Sequence, residues 1–264
     1  MTDLLYAYAV ARPGRHEPSG LGTGVAGGRV RALADGDLAA FVSAVPAAGF
    51  GEAALRERLE DLRWLEETAR AHHEVVARAA GGGCVLPLRL ATVYRDEDGV
   101  RRMLRDGRAA LGAALDRLDG RVEWGVKVYA VPAEAPGAPG PGGGAGAGAA
   151  SGRDYLRQRL NARRTQDRGH EQAAGFAERL DARLSRYAED RRLHRPQDAR
   201  LSGASGVNVL NASYLLPAAD AAAFAECARG GSGEGGPWIR VELTGPWAPY
   251  SFAALPPAAA GNPS

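Results

Sequence analysis

The chain has 264 residues, 45% apolar and 24% charged, which is the composition of a folded protein with room for two compact units and excludes a disordered one. Thirty-three basic against 31 acidic residues leave a formal net charge of +2, too little for nucleic-acid or anionic-membrane binding driven by charge alone. No stretch approaches the roughly 18 apolar residues of a membrane span, and the two cysteines, Cys84 and Cys227, lack CxxC or Cys/His spacing, so a reducing cytoplasm is the expected setting.

Leu4 to Ala11 is an apolar, tyrosine-bearing run closed by Arg12-Pro13-Gly14, and it reads as a strand rather than a leader because no basic segment precedes it. Arg29 to Ala34 and Leu38 to Val45 flank Asp35-Gly36-Asp37, the pattern of a hairpin. From Glu52 the period changes: Leu55, Leu59, Leu62, Leu65, Ala69 and Val76 fall at helical spacing up to Gly81-Gly82-Gly83. Cys84 to Tyr94 returns to strand character, with Pro87 pointing to an edge or a bulge. Val100, Leu104, Leu111, Leu115 and Leu118 then mark a second amphipathic helix ending near Gly120.

Val122 to Val131 reads as a strand, and residues 132–152 are almost all Ala, Gly and Pro, a composition that cannot offset the ordering entropy of about 1 kcal/mol per residue. A long helix is expected from Arg153 to about Arg191. A short strand at Asp198 to Leu201, a strand at Val207 to Leu216, a helix at Ala218 to Ala228 and a strand at Trp238 to Leu243 follow. The order from Val122 is that of a ferredoxin-like βαββαβ unit. The expected fold is therefore α+β: an N-terminal α+β domain over 1–119, a C-terminal ferredoxin-like domain over 120–254 with a Gly/Ala/Pro insertion at 132–152, and a frayed tail at 255–264.

Motifs of catalysis or cofactor binding do not survive their context. Gly22 to Gly27 matches GxGxxG, but a strand and not a helix is expected next, so it reads as an ordinary glycine loop. His72, His73 and Glu74 approach a zinc-binding HExxH, yet Ala77 stands where the second ligand belongs. Gly203-Ala204-Ser205-Gly206 lacks the spacing of a nucleophile elbow. No catalytic residue, cofactor site or metal site is assigned. The helix from Arg153 to Arg192 holds 11 arginines against seven acidic residues. Without interleaved aromatics it reads as a solvated or protein-docking face, not as a nucleic-acid site.

Five segments in order, LLYAYAV from Leu4, VLPLRLATVY from Val85, EWGVKVY from Glu123, VNVLNASYLL from Val207 and GPWAPYSF from Gly245, resemble the gas vesicle GvpL/GvpF family. The family pattern usually carries a glycine where Ala91 stands and often a second proline where Ala248 stands. The resemblance implies a two-domain α+β protein whose second domain is a modified ferredoxin fold. It implies an accessory, gas-vesicle-associated role without enzyme activity, with the small shell subunit and other accessory proteins as partners.

A subunit that builds a gas-facing wall must expose apolar surface before assembly, so a soluble protein that covers it is expected. The residues expected to make that contact are Trp247, Tyr250 and Phe252, with Arg157 and Arg164 of the long helix. The bland alternative is that the rings of GPWAPYSF pack back on the chain's own sheet. A competing reading, a small-molecule enzyme on the ferredoxin-like domain, would need Arg89, His73 and Tyr94 to converge on a concave site.

Overall fold

The computed structural model describes residues 3–14, 18–131, 152–195, 206–236 and 238–253. The fold mixes helix and sheet, and the chain divides into two compact units. One comprises Met1–Glu123 with Pro246–Ser264, the other Trp124–Gly245.

The first unit is built on β1 (Asp3–Ala11), which pairs antiparallel with β3 (Leu38–Pro46), β4 (Val85–Pro87) and β5 (Val93–Tyr94). β2 (Arg31–Asp35) closes a hairpin on β3, giving the order β2-β3-β1-β4. β1 is buried from Leu5 onward on both faces, which explains why its sequence is a continuous apolar run and not an alternation. A register shift between Ala7 and Ala9 places Tyr8 at an irregularity of the β1–β3 pairing.

The helical pattern from Glu52 is broken where the sequence predicts one helix. α1 (Ala47–Phe50) and α2 (Glu52–Arg58) precede α3 (Leu62–Ala80), and Asp61 caps α3 by accepting from the N–H groups of Arg63 and Trp64 at 3.0 and 3.2 Å. The apolar period runs across this break, so periodicity alone could not find it; Leu59 and Leu62, which it counts as core, lie exposed. α4 (Glu97–Asp106) and α5 (Arg108–Leu118) meet at Gly107. The expected strand from Cys84 to Tyr94 is split into β4 and β5 by a loop in which Ala91 has φ 60°.

In the second unit β6 (Arg121–Ala130), β7 (Asp190–Leu193), β8 (Val207–Pro217) and β9 (Ile239–Trp247) form a sheet in the order β7-β8-β6-β9. α6 (Gly152–Leu184) buries Ala173, Phe176, Ala177, Leu180 and Leu184 at helical spacing against β8 and α7 (Ala221–Glu234). α7 comes close because Gly231 has no side chain: a Cβ there would stand 2.9 Å from Leu180 Cδ1. Phe224 of α7 gathers the rings of Trp124, Tyr187 and Tyr214.

Two expectations change here. The long helix ends at Leu184, and the strand beside β8 is Asp190–Leu193, which the sequence assigned to the helix; Asp198 to Leu201 lies outside the described residues. Asp190–Leu193 is exposed throughout and carries no alternation, so its strand character comes from its ladder to β8 and not from its side chains. The second change concerns residues 246–253, which group with the first unit and not with the sheet that precedes them.

Candidate functional site

The segment from Pro246 to Ala253 is held to the first unit by three kinds of contact. Phe252 is completely buried, and its carbonyl accepts from the Arg117 guanidinium at 2.6 Å. Ser251 gives both its N–H and its hydroxyl to the Glu123 carboxylate, at 2.7 and 2.5 Å. Glu123 is itself buried at the start of β6, so this pair of bonds replaces the water that a carboxylate would otherwise require. Tyr250 lies against the core cluster that contains Tyr6, Tyr8, Phe50, Val75 and Val76.

α3 supplies the platform for the aromatic side of the segment. His73 Nδ1 lies 3.4 Å from the Tyr250 hydroxyl, and the His73 ring stands edge-on to Trp247 with centroids 4.7 Å apart. Burial raises the Tyr250 phenol above its ordinary range, so it is a neutral hydroxyl at any physiological pH. Trp247 keeps 39% of its surface exposed. The two alternatives for GPWAPYSF are thus divided between residues: Phe252 and Tyr250 serve the core, while Trp247 stays at the surface.

Beneath this segment lies a buried polar network. The Ala91 N–H donates to the Tyr6 hydroxyl at 3.0 Å, and that hydroxyl lies 3.1 Å from His72 Nδ1. Burial, with the neighbouring His73 second, pushes the His72 pKa down to about 4, and the Leu88 backbone offsets this only in part. The Val25 N–H donates to the Tyr8 hydroxyl at 2.8 Å, and that hydroxyl lies 2.6 Å from Ser43 Oγ. This contact accounts for the glycine run near Val25: a Cβ on Gly24 would stand 2.2 Å from the Tyr8 oxygen. The glycines bring backbone to a tyrosine, a structural use.

The other expected site residues lie elsewhere. Arg157 and Arg164 are exposed on α6, in the second unit. Arg89 is exposed, Tyr94 stands opposite Leu5 in the sheet, and His73 faces Trp247 and Tyr250, so the three take separate directions. Gly203 to Ser205 lie outside the described residues. A shallow concavity on α3 is lined by Arg63, Glu66, Glu67, Arg70, Ala71 and Glu74, whose arginines pair with Glu67 and Glu66. Among the described residues no group of three His, Cys, Asp or Glu side chains is placed to hold a metal ion, and no helix is long and apolar enough to cross a membrane.

Glu123, Arg117 and His72 were missed as anchors. Glu123 had one signal, the single acidic residue in a largely apolar strand, but nothing in the sequence said which group it would meet. Ser251 lies 128 residues away.

Comparison with known proteins follows this architecture. A family model described as gas vesicle synthesis protein GvpL/GvpF matches residues 4–254. Gas vesicle protein L of Streptomyces sp. (strain CB03234) is 54% identical over 262 residues, covering 96% of this chain and 94% of that protein. Gas vesicle protein F of the same strain is 36% identical over 125 residues, 46% of this chain and 47% of that protein. The crystal structure of the gas vesicle protein GvpF from Anabaena sp. PCC7120 superposes with a TM-score of 0.68 at 16% identity, over 96% of this chain and 97% of that one. GvpF from Microcystis aeruginosa gives 0.64 at 15% identity, over 97% and 100%. At such identities the likeness is one of fold.

Proposed function

This chain belongs to the GvpL/GvpF family of gas vesicle synthesis proteins, and from that premise we propose that it binds the hydrophobic shell subunit before and during assembly. In this reading it is a cytoplasmic, vesicle-associated binding protein, not an enzyme. It keeps the subunit soluble or nucleates the wall, and acts together with other accessory proteins.

The observation that carries the reading is the division of labour in residues 246–253. Phe252 and the Ser251–Glu123 bonds fix the backbone, while Trp247 remains 39% exposed beside His73. A fixed backbone presenting an accessible indole has lost most of its ordering entropy before any partner arrives, which favours contact with an apolar surface. Arg157 and Arg164 supply a polar contact in the same reading.

The domain assignment belongs to the proposal as well. We read the second unit as a modified ferredoxin-like βαββαβ domain, and the strand order β7-β8-β6-β9 supports this because it is the order that such a unit generates.

Co-expression with the major shell subunit tests the proposal. The expected result is a soluble shell subunit that co-elutes with this chain in size exclusion, and a Trp247→Ala variant that folds normally but recovers less of it. A shell subunit that stays aggregated, with nothing co-eluting, would rule out direct chaperoning.

A further inference from the structure

Four arginines on the first unit's helices pair with a carboxylate four residues away on the same helix. Arg56 pairs with Glu52, Arg63 with Glu67, Arg70 with Glu66 and Arg101 with Glu97, at 2.6, 3.1, 2.7 and 2.7 Å. α6 departs from this pattern. Arg157, Arg164 and Arg168 are exposed and fall seven and four residues apart, on one stripe of the helix. Among the described residues none of the three has a carboxylate partner. Among the described residues, the ion pairs of α6, Arg183 with Glu234 and Asp181 with Arg191, sit at its other end.

The stripe lies on the side of α6 away from its core contacts. At about 100° per residue it falls roughly opposite Ala173, Phe176, Ala177, Leu180 and Leu184, which face β8 and α7. Leu160 lies beside the stripe, 57% exposed. Asp167 and Glu171 flank it.

We propose that this stripe, Arg157, Arg164 and Arg168 with Leu160, docks an acidic helix of a partner protein. That helix would carry carboxylates seven and four residues apart, with one apolar side chain between them. The inference rests on reading α6 as a partner contact and adds the chemistry of the partner. Charge complementarity selects carboxylates, which a guanidinium fork engages through two parallel hydrogen bonds. The geometry selects a helix, since a partner with the same rise brings one carboxylate to each arginine over about 16 Å. Leu160 offers an apolar contact that a phosphate backbone cannot use, so a protein is favoured over nucleic acid. One exposed leucine is too little apolar surface to seat the helix on a membrane.

The test uses the full chain and a fluorescein-labelled synthetic helix with glutamates at that spacing and one leucine between them. Controls are a scrambled peptide of equal composition, a peptide with glutamine in place of glutamate, polyuridylate, and phosphatidylserine vesicles. The expected result is saturable anisotropy for the patterned peptide, at least about tenfold weaker for the scrambled and glutamine peptides, and weakening with added salt. The triple variant Arg157→Glu, Arg164→Glu, Arg168→Glu, shown to be folded by circular dichroism, loses this binding and regains it toward a lysine-patterned peptide. Equal affinity for the scrambled peptide, tighter binding of polyuridylate or vesicles, or no binding of the patterned peptide overturns the inference. Shell-subunit co-elution measured on the same triple variant separates the two proposals. If co-elution persists while the peptide fails, the acidic-helix inference alone falls. If the wild type fails to solubilise the shell subunit, the assembly reading falls independently.

Discussion

Ala91 holds a left-handed backbone, φ 60°, at the loop between β4 and β5, and its N–H is committed to the Tyr6 hydroxyl. A residue with a Cβ in that region costs roughly 1–2 kcal/mol, part of which a glycine returns to the unfolded state as entropy. Ala91→Gly is therefore expected to stabilise the chain by about 1 kcal/mol, read as a higher urea midpoint at unchanged slope; a lower midpoint would show that the turn carries no strain. The sequence pattern pointed to this position through its usual glycine, and the backbone angle supplies the reason. His72 makes the other residue-scale prediction. Its pKa is about 4 in the folded chain, below the ordinary 6.5, so between these pH values the unfolded chain binds a proton that the folded chain refuses. Stability should fall as pH drops from about 6.5 to about 4, by at most on the order of 3 kcal/mol, and be fully present above 6.5. Whatever its baseline cost, His72→Gln should flatten that part of the stability profile. An unchanged slope would mean that His72 titrates normally.

At the scale of elements, the segment 246–253 behaves as an anchored strap whose residues differ in what they contribute. Phe252→Ala removes a fully buried ring and should cost about 3–5 kcal/mol. Trp247→Ala, at a partly exposed position, should cost no more than about 1 kcal/mol. Thermal melts of the two variants check this, and equal losses would place Trp247 in the core. Glu123→Ala leaves the Ser251 N–H without its carboxylate. Amide exchange at Ser251 should accelerate by at least about tenfold while β1 and β3 stay protected. If the Ser251 amide stays protected, the strap does not depend on the Glu123 bonds. Elements also show where sequence reading reached its limit. Asp61 is a recognisable helix cap, but the leucine period on either side of it continues unbroken, so the break between α2 and α3 was masked by residues that turn out to be exposed. β7 was invisible for the opposite reason: Asp-Arg-Arg-Leu has no strand pattern, and its pairing with β8 is a backbone interaction.

On the scale of the whole molecule, the chain leaves the first unit after Glu123 and returns to it at Pro246. A truncation after Gly245 deletes Phe252, the Ser251 bonds and the Arg117 contact together, so it should destabilise the first unit by at least as much as Phe252→Ala does. Exchange measured separately over β1–β3 and over β6 and β8 reports the two units; greater loss in the second would contradict the chain path described here.

The amino-acid sequence by itself determined most of the helices and strands, though not β7 or the break between α2 and α3, together with the family resemblance and the residues worth watching near the C-terminus. These are readable because a helix or strand writes its period into its own neighbours, and because glycine loops and aromatic runs keep their chemistry wherever they fold. Only the tertiary structure decided that Ser251 meets Glu123, that Phe252 and Trp247 part ways, and that Arg183 of α6 pairs with Glu234 while Arg157, Arg164 and Arg168 have no carboxylate partner among the described residues. The physical reason is that burial, pairing and charge compensation are properties of contacts between residues far apart in the chain, and a local pattern carries no record of the partner.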